Sequence, residues 1–311
     1  MSLKRKKIAL FLAGLLIILI VLIVSFWHWQ QLPPGRTNFL ILGIAGQEHQ
    51  GQDLTDSLIF VSVDQRSGQT LILSLPRDIW IPALRSKLNS VYHYRGLAET
   101  KKIASEIVGQ PVDHGLVIDF QFLSQAVEIL GGVEVEIQRP LDDYQYPIEG
   151  KENDLCEGDP EFKCRYEHLH FEAGKQLMNG ETALKYVRSR NAVGVEGTDF
   201  ARIQRQQRLM LAIKDKILSP QFFLHPEKLR ELVQLMASSL EHDLRKTDYQ
   251  NLLKLALKLR SSKIKTASLN NNYLVNPSTH LEKYDQQWVL IPKATDWQEV
   301  QQYVSSLLNS I

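Results

Sequence analysis

Four arginines lie in the stretch KYVRSRNAVGVEGTDFARIQRQQ, residues 185–207 of the chain. Arg188 and Arg190 precede a short loop that contains glycine, and Arg202 and Arg205 follow it. Arginine stays charged in proteins, and its planar guanidinium group binds phosphate oxygens through two parallel hydrogen bonds. The stretch is therefore compatible with an anion-binding site, although such a run taken alone is more often a solvated, charged surface.

The second pair of arginines falls on a predicted helix that begins at Asp199, a residue type that favours the N-cap. Arg202, Arg205 and Gln206 are spaced i, i+3 and i+4, so we expect their side chains to share one face of this helix. The first pair is expected at the C-terminal end of the preceding helix. A helix end, a loop and a helix start could thus bring the four arginines towards one point.

A second group of polar residues lies in the N-terminal half of the chain. Arg77 and Asp78, in SLPRDIWIP, come directly after a predicted strand, where α/β folds place ligand sites. Asp56 begins another predicted strand, and Lys87 follows in KLNSVYHY. Each has a purely structural alternative, since Pro-Arg-Asp can be a β-turn with a surface ion pair and Asp56 can stabilise a turn.

The elements that must position these residues alternate between strand and helix patterns. Apolar and β-branched runs predict strands at residues 37–43, 56–64, 69–76, 114–120, 133–138 and 287–292. Helical spacing predicts helices at residues 97–108, 120–130, 180–187, 199–218, 226–240, 247–259 and 297–308. This order predicts an α/β fold with a central sheet flanked by helices. Residues 139–171 are polar and rich in acidic residues, and we expect them to form a long excursion.

The N-terminus carries a membrane-anchor pattern. Residues 8–26 contain no charged side chain, and at ~1.5 Å per residue they span roughly 28 Å, close to the hydrocarbon thickness of a bilayer. Four basic residues precede this run, so we expect residues 1–7 to be a cytoplasmic tail and residues 8–27 a transmembrane helix. A cleaved signal peptide is the alternative, but the run is longer than usual for one. Residues 28–36 are then a linker, and the domain after them is extracytoplasmic.

Net charge argues against nucleic acid as a partner. The chain carries a formal net charge of +1, and four of its basic residues precede the apolar run, which leaves −3 for the rest. A domain of this charge is a poor candidate for general nucleic-acid binding, so anion binding must come from a local cluster. The sequence also contains neither a P-loop nor the G-x-S-x-G motif of serine hydrolases.

The chain has two cysteines, Cys156 and Cys164, in DLCEGDPEFKCRY. Outside the cytoplasm, two cysteines this close in sequence favour a disulfide. The alternative is a pair of reduced thiols in a partly buried loop. A zinc site is not expected here, because His168 and His170 are the only nearby histidines and their spacing fits no standard zinc pattern.

Several motifs occur in an order that resembles the LytR-CpsA-Psr family. They are NFLILG, LTDSLIFVSVD, LSLPRDIWIP, KLNSVYHY, VDHGLVIDF, ILGGVEVEI, MNGETALKYVRSR and DFARIQRQQ, and they cover residues 38–213. The resemblance implies membrane-anchored phosphotransferases of the bacterial cell envelope. Such enzymes move a glycopolymer from a polyprenyl (pyro)phosphate carrier to peptidoglycan, and their α/β fold contains an apolar tunnel for the lipid. It also implies that residues 37–218 are the catalytic core and that residues 219–311 complete the same domain.

The resemblance also implies roles for individual residues. The arginine of the family's Pro-Arg-Asp motif falls on Arg77, and its R-x-R pair falls on Arg188 and Arg190. The helix arginine and glutamine that follow fall on Arg202 and Gln206. The guanidinium groups would hold the pyrophosphate. Outside this match, Asp78, Lys87 and Arg205 are further candidates for substrate binding, with the alternatives that Asp78 fixes Arg77 and that Arg205 is only a supporting residue. Asp56 would bind Mg²⁺ or orient the acceptor hydroxyl.

Three positions depart from the family pattern. Many relatives have an aspartate and an arginine in the loop after the first strand, where this chain has Ala45 and Gln47. Many also have an arginine where this chain has Leu54. An expected Mg²⁺ ligand is therefore missing, and Gln47, Glu48 or Asp53 would have to replace it. These departures keep two alternatives open, a polyprenyl-phosphate-binding envelope regulator without catalysis and a pyrophosphatase that acts on the same lipid-linked substrate.

Overall fold

The computed structural model describes residues 35–46, 51–260, 262–277 and 282–311. Six of its strands form one mixed sheet in the order β11-β6-β1-β2-β3-β12. The strands are β1 Arg36–Ile44, β2 Thr55–Asp64, β3 Thr70–Leu75, β4 Trp80–Ile81, β5 Ser86–Lys87, β6 His114–Ile118, β7 Val133–Ile137, β8 Leu141–Pro147, β9 Tyr166–Phe171, β10 Gly174–Met178, β11 Glu241–His242, β12 Ile264–Ser268, β13 Leu274–Val275 and β14 Ile291–Pro292.

Helices cover both faces of this sheet, as the sequence predicted. Within the described residues they are α1 Leu88–Val108, α2 Phe120–Leu130, α3 Gly180–Arg188, α4 Asp199–Ile217, α5 Pro220–Phe223, α6 Pro226–Ser239, α7 Lys246–Leu259 and α8 Gln298–Asn309. The predicted α/β class is therefore confirmed. No helix of the described residues combines the length and the apolar character that crossing a membrane requires. The predicted transmembrane segment, residues 8–27, lies outside the described residues.

The central strands of the sheet form where the sequence alternates. β1 pairs antiparallel with β2, which places Leu40 opposite Phe60 and Ile41 opposite Ile59. β2 pairs antiparallel with β3 across the predicted turn, and β6 joins β1 in parallel. Since successive side chains of a strand point to opposite faces, the odd and even positions of β1 enter two different apolar layers.

One apolar layer is filled by α1 and α8. It contains Leu40, Phe60 and Leu73, all fully buried, together with Val304 of α8. The other layer lies between the sheet and helices α2, α4 and α6, and its buried members include residues of α2, α3 and β7–β9. The functional residues gather at the edge of this second layer.

Helix α1 begins earlier than predicted. The spacing predicted a helix from residue 97, whereas α1 starts at Leu88. The two parts meet at Gly96, whose φ of 73° and ψ of −177° interrupt the helical backbone. Glycine adopts a positive φ without the steric cost that a side chain brings. Leu88 and Val91 of the first part are nevertheless buried in the same apolar layer as Ile103 and Ala104 of the second.

The prediction for residues 139–171 needs correction. They form an antiparallel pair, β8 with β9, that places Leu141 opposite Phe171 and Asp142 opposite His170. A disulfide joins Cys156 to Cys164 in the loop of this hairpin, with 5.5 Å between their Cα atoms. Residues 139–171 therefore contain a β-hairpin whose loop is cross-linked by the disulfide.

The C-terminal part contributes to the same sheet and apolar layer. β12 lies parallel to β3, so that Ile264 pairs with Thr70. Helix α8 lies on α1, and Val300 and Val304 are buried in the filled layer. The strand predicted at residues 287–292 is shorter than expected, since β14 has two residues and pairs with β13.

Candidate functional site

Three of the predicted site residues meet at the end of the central strands. Asp56 is the second residue of β2, and Arg77 follows the end of β3, so antiparallel pairing places them side by side. Asp56 Oδ1 accepts a hydrogen bond from Arg77 Nη1, and Arg190 Nη2 lies 2.9 Å from the same oxygen. The structure thus brings the Pro-Arg-Asp motif and the R-x-R pair together on one carboxylate.

The charge of Asp56 is stabilised by these two arginines. Burial acts to raise the pKa of Asp56, but the Arg190 and Arg77 guanidinium groups outweigh this effect, and the net pKa is lowered. Burial likewise acts to lower the pKa of Arg77, whereas Asp56 raises it, and the net pKa is raised. Asp56 is therefore ionised at neutral pH, which makes it a weak proton acceptor and a good hydrogen-bond acceptor.

The charge of Arg202 is costly, because its side chain is buried and incompletely hydrogen-bonded. Its side chain is 6% exposed, and Nη2 lies 2.9 Å from Asp199 Oδ1. Nε and Nη1 are buried and have no hydrogen-bond acceptor among the described residues. Burial, followed by the charge of Arg190, lowers the pKa of Arg202 to about 10. A guanidinium held in this way gains strongly from an anionic ligand, because buried donors without acceptors are costly.

Helix α3 positions Arg188 and Arg190. Asn179 caps its N-terminus by accepting a hydrogen bond from the Thr182 amide at 2.9 Å. Gly180 packs against α2 so closely that an added Cβ would lie 2.2 Å from the Ser124 carbonyl oxygen. The helix ends at Arg188, whose guanidinium carbon lies 4.4 Å from the centre of the Phe120 ring. The contacts with α2 therefore fix the position of Arg188, the first arginine of the R-x-R pair.

Arg205 does not bind substrate as predicted, because its side chain is fully buried. It donates four hydrogen bonds, to the Tyr186 carbonyl, to the Glu196 carbonyl and carboxylate, and to the Ser189 carbonyl. The bond to Ser189 is 2.6 Å long and holds the residue between Arg188 and Arg190. We therefore assign Arg205 as a positioning residue for the R-x-R pair.

A further positioning residue, Asp143, was missed by the sequence analysis. It is fully buried on β8, where it accepts a hydrogen bond of 2.7 Å from Ser189 Oγ. The Asn191 amide also donates to Asp143, at 3.2 Å. The turn that carries the R-x-R pair is thus held by hydrogen bonds from two elements. Arg205 of α4 contacts it from one side, and Asp143 of β8 contacts it as well. The available signal was the repeated aspartate in LDDYQY, at the start of a segment predicted as an excursion.

Lys87 and Asp78 support Arg77. Lys87 Nζ donates to Asp78 Oδ1 at 2.8 Å, and Asp78 Oδ2 lies 3.6 Å from Arg77 Nε. Asp78 lines the polar cleft that contains Arg77, whereas Lys87 lines a separate groove with Leu54. The prediction that Lys87 binds substrate is therefore not supported by its position. It pairs with Asp78, whose contact with Arg77 is an ion pair without a hydrogen bond, since Arg77 Nε is buried and has no hydrogen-bond acceptor among the described residues.

An apolar cavity of about 590 Å³ opens beside the arginines. Its floor is the sheet, through Ile41, Ile59 and Leu116, and its walls come from α2, α4 and α6. Its rim carries Asp56, Arg188, Arg190, Arg202 and Gln206. A hydrocarbon chain fits such a lining, and the basic rim fits an anionic group at the end of that chain.

A polar cleft of about 470 Å³ lies on the other side of the same rim. Arg77 and Asp78 line the cleft but not the apolar cavity, whereas Asp56, Arg202 and Gln206 line both. Ser57 and Ile59 line both as well, so five shared residues mark the boundary between the apolar and the polar compartment. A ligand with a phosphate group at this boundary would place a lipid on one side and a polar substituent on the other.

Two carboxylates line the cavity, those of Asp56 and Asp119, and Mg²⁺ is usually held by one or two carboxylates together with substrate phosphates and water. Mg²⁺ requires oxygen ligands in octahedral geometry, and among the described residues no group of three potential ligands includes Asp56. Two guanidinium groups already contact the Asp56 carboxylate. Asp53 lies 3.6 Å from His93 and does not line the cavity. It therefore does not replace the aspartate that many relatives have at the position of Ala45. Gln47 and Glu48 lie outside the described residues.

This arrangement suits an amphiphile with an anionic head group. The chain belongs to the LytR_cpsA_psr family, whose model matches residues 29–305. It is 26% identical over 263 residues to the polyisoprenyl-teichoic acid–peptidoglycan teichoic acid transferase TagV of Bacillus subtilis. It is 25% identical over 260 residues to the polyisoprenyl-teichoic acid–peptidoglycan teichoic acid transferase TagU of Enterococcus faecalis. The matches cover 79% and 80% of this chain, and 62% and 74% of the respective relatives.

The fold agrees with that of a solved relative. The crystal structure of B. subtilis TagV superimposes with a TM-score of 0.64 at 22% sequence identity. The superposition covers 89% of this chain and 99% of that chain. At this level of identity the likeness concerns the fold, and the assignment of the site rests on the geometry described above.

Proposed function

We propose that the protein is a phosphotransferase that moves a glycopolymer from a polyprenyl (pyro)phosphate carrier to peptidoglycan. One observation carries the proposal: Arg202 holds two buried, unpartnered nitrogens where the apolar cavity meets the polar cleft. A polyprenyl chain would occupy the cavity, and its pyrophosphate would accept hydrogen bonds from Arg202. The names of the family's transferases, which describe a polyisoprenyl-linked substrate, support the same substrate class.

The transfer step follows from this placement. The acceptor hydroxyl oxygen forms a bond to the phosphorus that carries the glycan, and the bond from that phosphorus to the bridging oxygen breaks. Polyprenyl phosphate leaves with the electron pair, and the hydroxyl proton passes to water. Phosphoryl transfer needs positioning and charge stabilisation more than covalent help. Arg77, Arg188, Arg190 and Arg202 would supply both, by holding the phosphate oxygens as negative charge moves to the leaving group.

Asp56 has a different role in the proposed reaction. Its lowered pKa makes it a poor base. Its carboxylate can accept a hydrogen bond from the acceptor hydroxyl and so orient the oxygen towards phosphorus. It also holds Arg77 and Arg190 in a common orientation before substrate arrives. Gln206, on the same rim, would contribute a neutral donor to the substrate.

We also propose that the protein works at the outer face of the cell membrane. The apolar run at residues 8–26 would anchor it with the N-terminus in the cytoplasm. Both the lipid carrier and peptidoglycan are available to a domain in that position. The disulfide between Cys156 and Cys164 suits such an oxidising compartment.

The test is transfer by the purified full-length chain in detergent, with a lipid-linked glycan and peptidoglycan as substrates. Arg202→Ala should lower the rate by about 10²–10³-fold, the usual cost of one lost transition-state donor. Arg77→Ala and the double variant Arg188→Ala with Arg190→Ala should lower it at least as far. Arg230→Ala, an exposed arginine of α6 outside the site, is the matched control. Full activity of folded Arg202→Ala would overturn the proposal.

A second candidate is a protein that binds the lipid carrier without catalysing transfer. It is favoured by Ala45, which stands where many relatives have an aspartate. Product analysis, with Mg²⁺ and with chelator, separates the candidates. A glycan phosphate ester on muropeptides supports transfer, and bound but unreacted lipid supports the binding protein. Free phosphorylated glycan would instead identify a pyrophosphatase.

A further inference from the structure

Two histidines and an aspartate meet on the exposed face of the β8–β9 hairpin. His168 Nε2 lies 2.8 Å from Asp142 Oδ1, and His170 Nδ1 lies 2.7 Å from the same oxygen. One ligating atom from each residue lies within 4.8 Å of the other two. None of the three residues lines the apolar cavity or the polar cleft, so the cluster is separate from the proposed transfer site.

The hairpin register creates this cluster. Asp142 of β8 is directly opposite His170 of β9. His168 is two residues from His170, so both side chains point to the same face of the strand. Leu169 and Phe171 point to the opposite face and are buried in the apolar layer. The buried face therefore fixes which side of β9 presents the histidines.

Two neighbouring residues orient the rings. Glu172 Oε1 lies 3.1 Å from His170 Nε2, the ring nitrogen that faces away from Asp142. Tyr144 stacks on His168, with ring centres 4.1 Å apart and planes inclined by 8°. A histidine that binds a metal through one nitrogen usually donates its other N–H to a carboxylate, which fixes the tautomer. Glu172 stands where such a partner of His170 would be.

We infer that Asp142, His168 and His170 form a binding site for a divalent transition-metal ion, with Zn²⁺ as the best-fitting candidate. Two imidazole nitrogens and one carboxylate oxygen are a ligand set that Zn²⁺ accepts, with a fourth position left for water or another ligand. Zn²⁺ holds such atoms at ~2.0–2.2 Å, which separates them by roughly 3.3 Å in a tetrahedron. The two contacts with Asp142 would need to widen by about 0.5 Å, and the two ring nitrogens already lie within 4.8 Å of each other.

The site differs from the zinc arrangement considered for the sequence. That arrangement grouped the histidines with the two cysteines, which the structure joins in a disulfide and so removes as thiolate ligands. The third ligand is instead Asp142, 26 residues before His168 in the chain. Strand pairing brings them together, and spacing along the sequence does not reveal it.

Metal binding must displace the protons that these nitrogens share with Asp142. Protons compete with a metal ion for the same ring nitrogens. Once the metal is bound, His170 keeps its Nε2–H and donates it to Glu172. Titrations are therefore best made at a fixed pH of about 8, where the competition is weaker.

The experiment is isothermal titration of Zn²⁺ into the full-length chain, purified without a polyhistidine tag and stripped with chelator. We expect one ion per chain. The double variant His168→Ala with His170→Ala should lose this binding by more than 100-fold. Glu172→Gln should weaken it by roughly 10–100-fold, the usual cost of an outer-shell partner. His225→Ala is the matched control, because His225 is also exposed and contacts a carboxylate, that of Glu227, at 2.9 Å.

Two outcomes would overturn the inference. One is an absence of stoichiometric Zn²⁺ binding by the wild-type chain. The other is equal binding by the wild type and a folded double variant, with folding checked by circular dichroism. If the double variant does not fold, anomalous scattering at the zinc edge from wild-type crystals decides the question. A peak between Asp142, His168 and His170 supports the site, and a peak only elsewhere contradicts it.

Discussion

The two faces of the main sheet carry similar side chains but have different surroundings. On one face, Leu40, Phe60 and Leu73 are fully buried against α1 and α8. On the other face, Ile41 and Ile59 border a cavity of about 590 Å³ below α2, α4 and α6. Both sets come from the same strands, on alternate positions. The difference therefore lies in how closely the helices approach the sheet and not in the hydrophobicity of the strands.

The contrast separates stability from function. Close packing maximises dispersion contacts and removes apolar surface from water, so the filled face stabilises the fold. The cavity face is stabilised less by packing, and an apolar ligand that binds there would stabilise the folded state. Helix α4 repeats the contrast within one turn. All three guanidinium nitrogens of Arg205 donate hydrogen bonds, whereas two nitrogens of Arg202 have no acceptor among the described residues.

The largest effect is expected at Arg205. Arg205→Ala removes four buried hydrogen bonds and leaves the Glu196 carboxylate with one partner fewer. Breaking a buried charge pair typically costs about 3–5 kcal/mol. Urea denaturation of the full-length chain should show this loss in the free energy of unfolding. Arg202→Ala is the control on the same helix and should change stability by less than about 1 kcal/mol, because it removes a poorly compensated charge. Equal losses in both variants would contradict the contrast.

A smaller loss of stability is expected on the filled face. Leu73→Ala should lower the free energy of unfolding by about 3 kcal/mol, the usual cost of a cavity left by a buried leucine. Ile41→Ala, on the cavity face, should lower it by only about 1 kcal/mol, since its side chain is half-buried and already borders open space. Both are measured by urea denaturation without lipid. A larger loss for Ile41→Ala would show that the cavity face carries the stability.

The sequence predicted the strands of both faces but not the cavity between the helices and one of them. Alternation in β1 and β2 indicates which side chains share a face. It contains no information on how far α2, α4 and α6 stand from the sheet, because that distance depends on long-range packing. The tunnel was expected only from the family resemblance.

The sequence predicted which side chains meet where they lie on regular elements, and failed where tertiary contacts decide. Arg77, Arg190 and Asp56 meet as expected from strand ends and a helix end. On a helix with ~100° per residue, position i+4 lies roughly 40° from position i, whereas i+3 lies roughly 60° to the other side. Gln206 therefore joins Arg202 on the rim, and Arg205 turns into the protein. Asp143 was missed because its partners lie 46 and 48 residues away.

A larger side chain on α2 should fill part of the cavity. Ala126 of α2 lines the cavity, and Ala104 of α1 is fully buried in the filled layer, so the same substitution can be made on both faces. Ala104→Phe should lower the free energy of unfolding by about 1–3 kcal/mol through overpacking. Ala126→Phe should change it by less, and should weaken binding of a polyprenyl phosphate about tenfold, which equals 1.4 kcal/mol.

The measurements for this pair are urea denaturation and binding of a fluorescent polyprenyl phosphate. A short-chain analogue, which needs less of the cavity, should bind Ala126→Phe with a smaller loss than the long-chain ligand. If Ala126→Phe destabilised the fold as much as Ala104→Phe and left lipid binding unchanged, the two faces would not differ as described.

The smallest effect is expected at the rim, from the titration of Asp56. Its pKa is lowered in the folded protein, so its ion pairs stabilise the fold above the ordinary aspartate pKa of ~3.9 and lose that effect as pH falls through the lower folded value. Asp56 is 34% exposed, and solvent screening keeps the contribution below about 1 kcal/mol. In Asp56→Asn, stability should therefore fall less steeply below pH ~4 than in the wild type.

Asp64, at the opposite end of β2, is the matched control for this last prediction. Burial acts to raise its pKa, but hydrogen bonds from Ser67 outweigh this and lower it. In Asp64→Asn, the free energy of unfolding should therefore also fall less steeply below pH ~4 than in the wild type. Only Asp56→Asn should change the affinity for a polyprenyl pyrophosphate at neutral pH, because only Asp56 lies on the rim of the cavity. An equal change of affinity in both variants would mean that the arginines are not oriented by the Asp56 carboxylate.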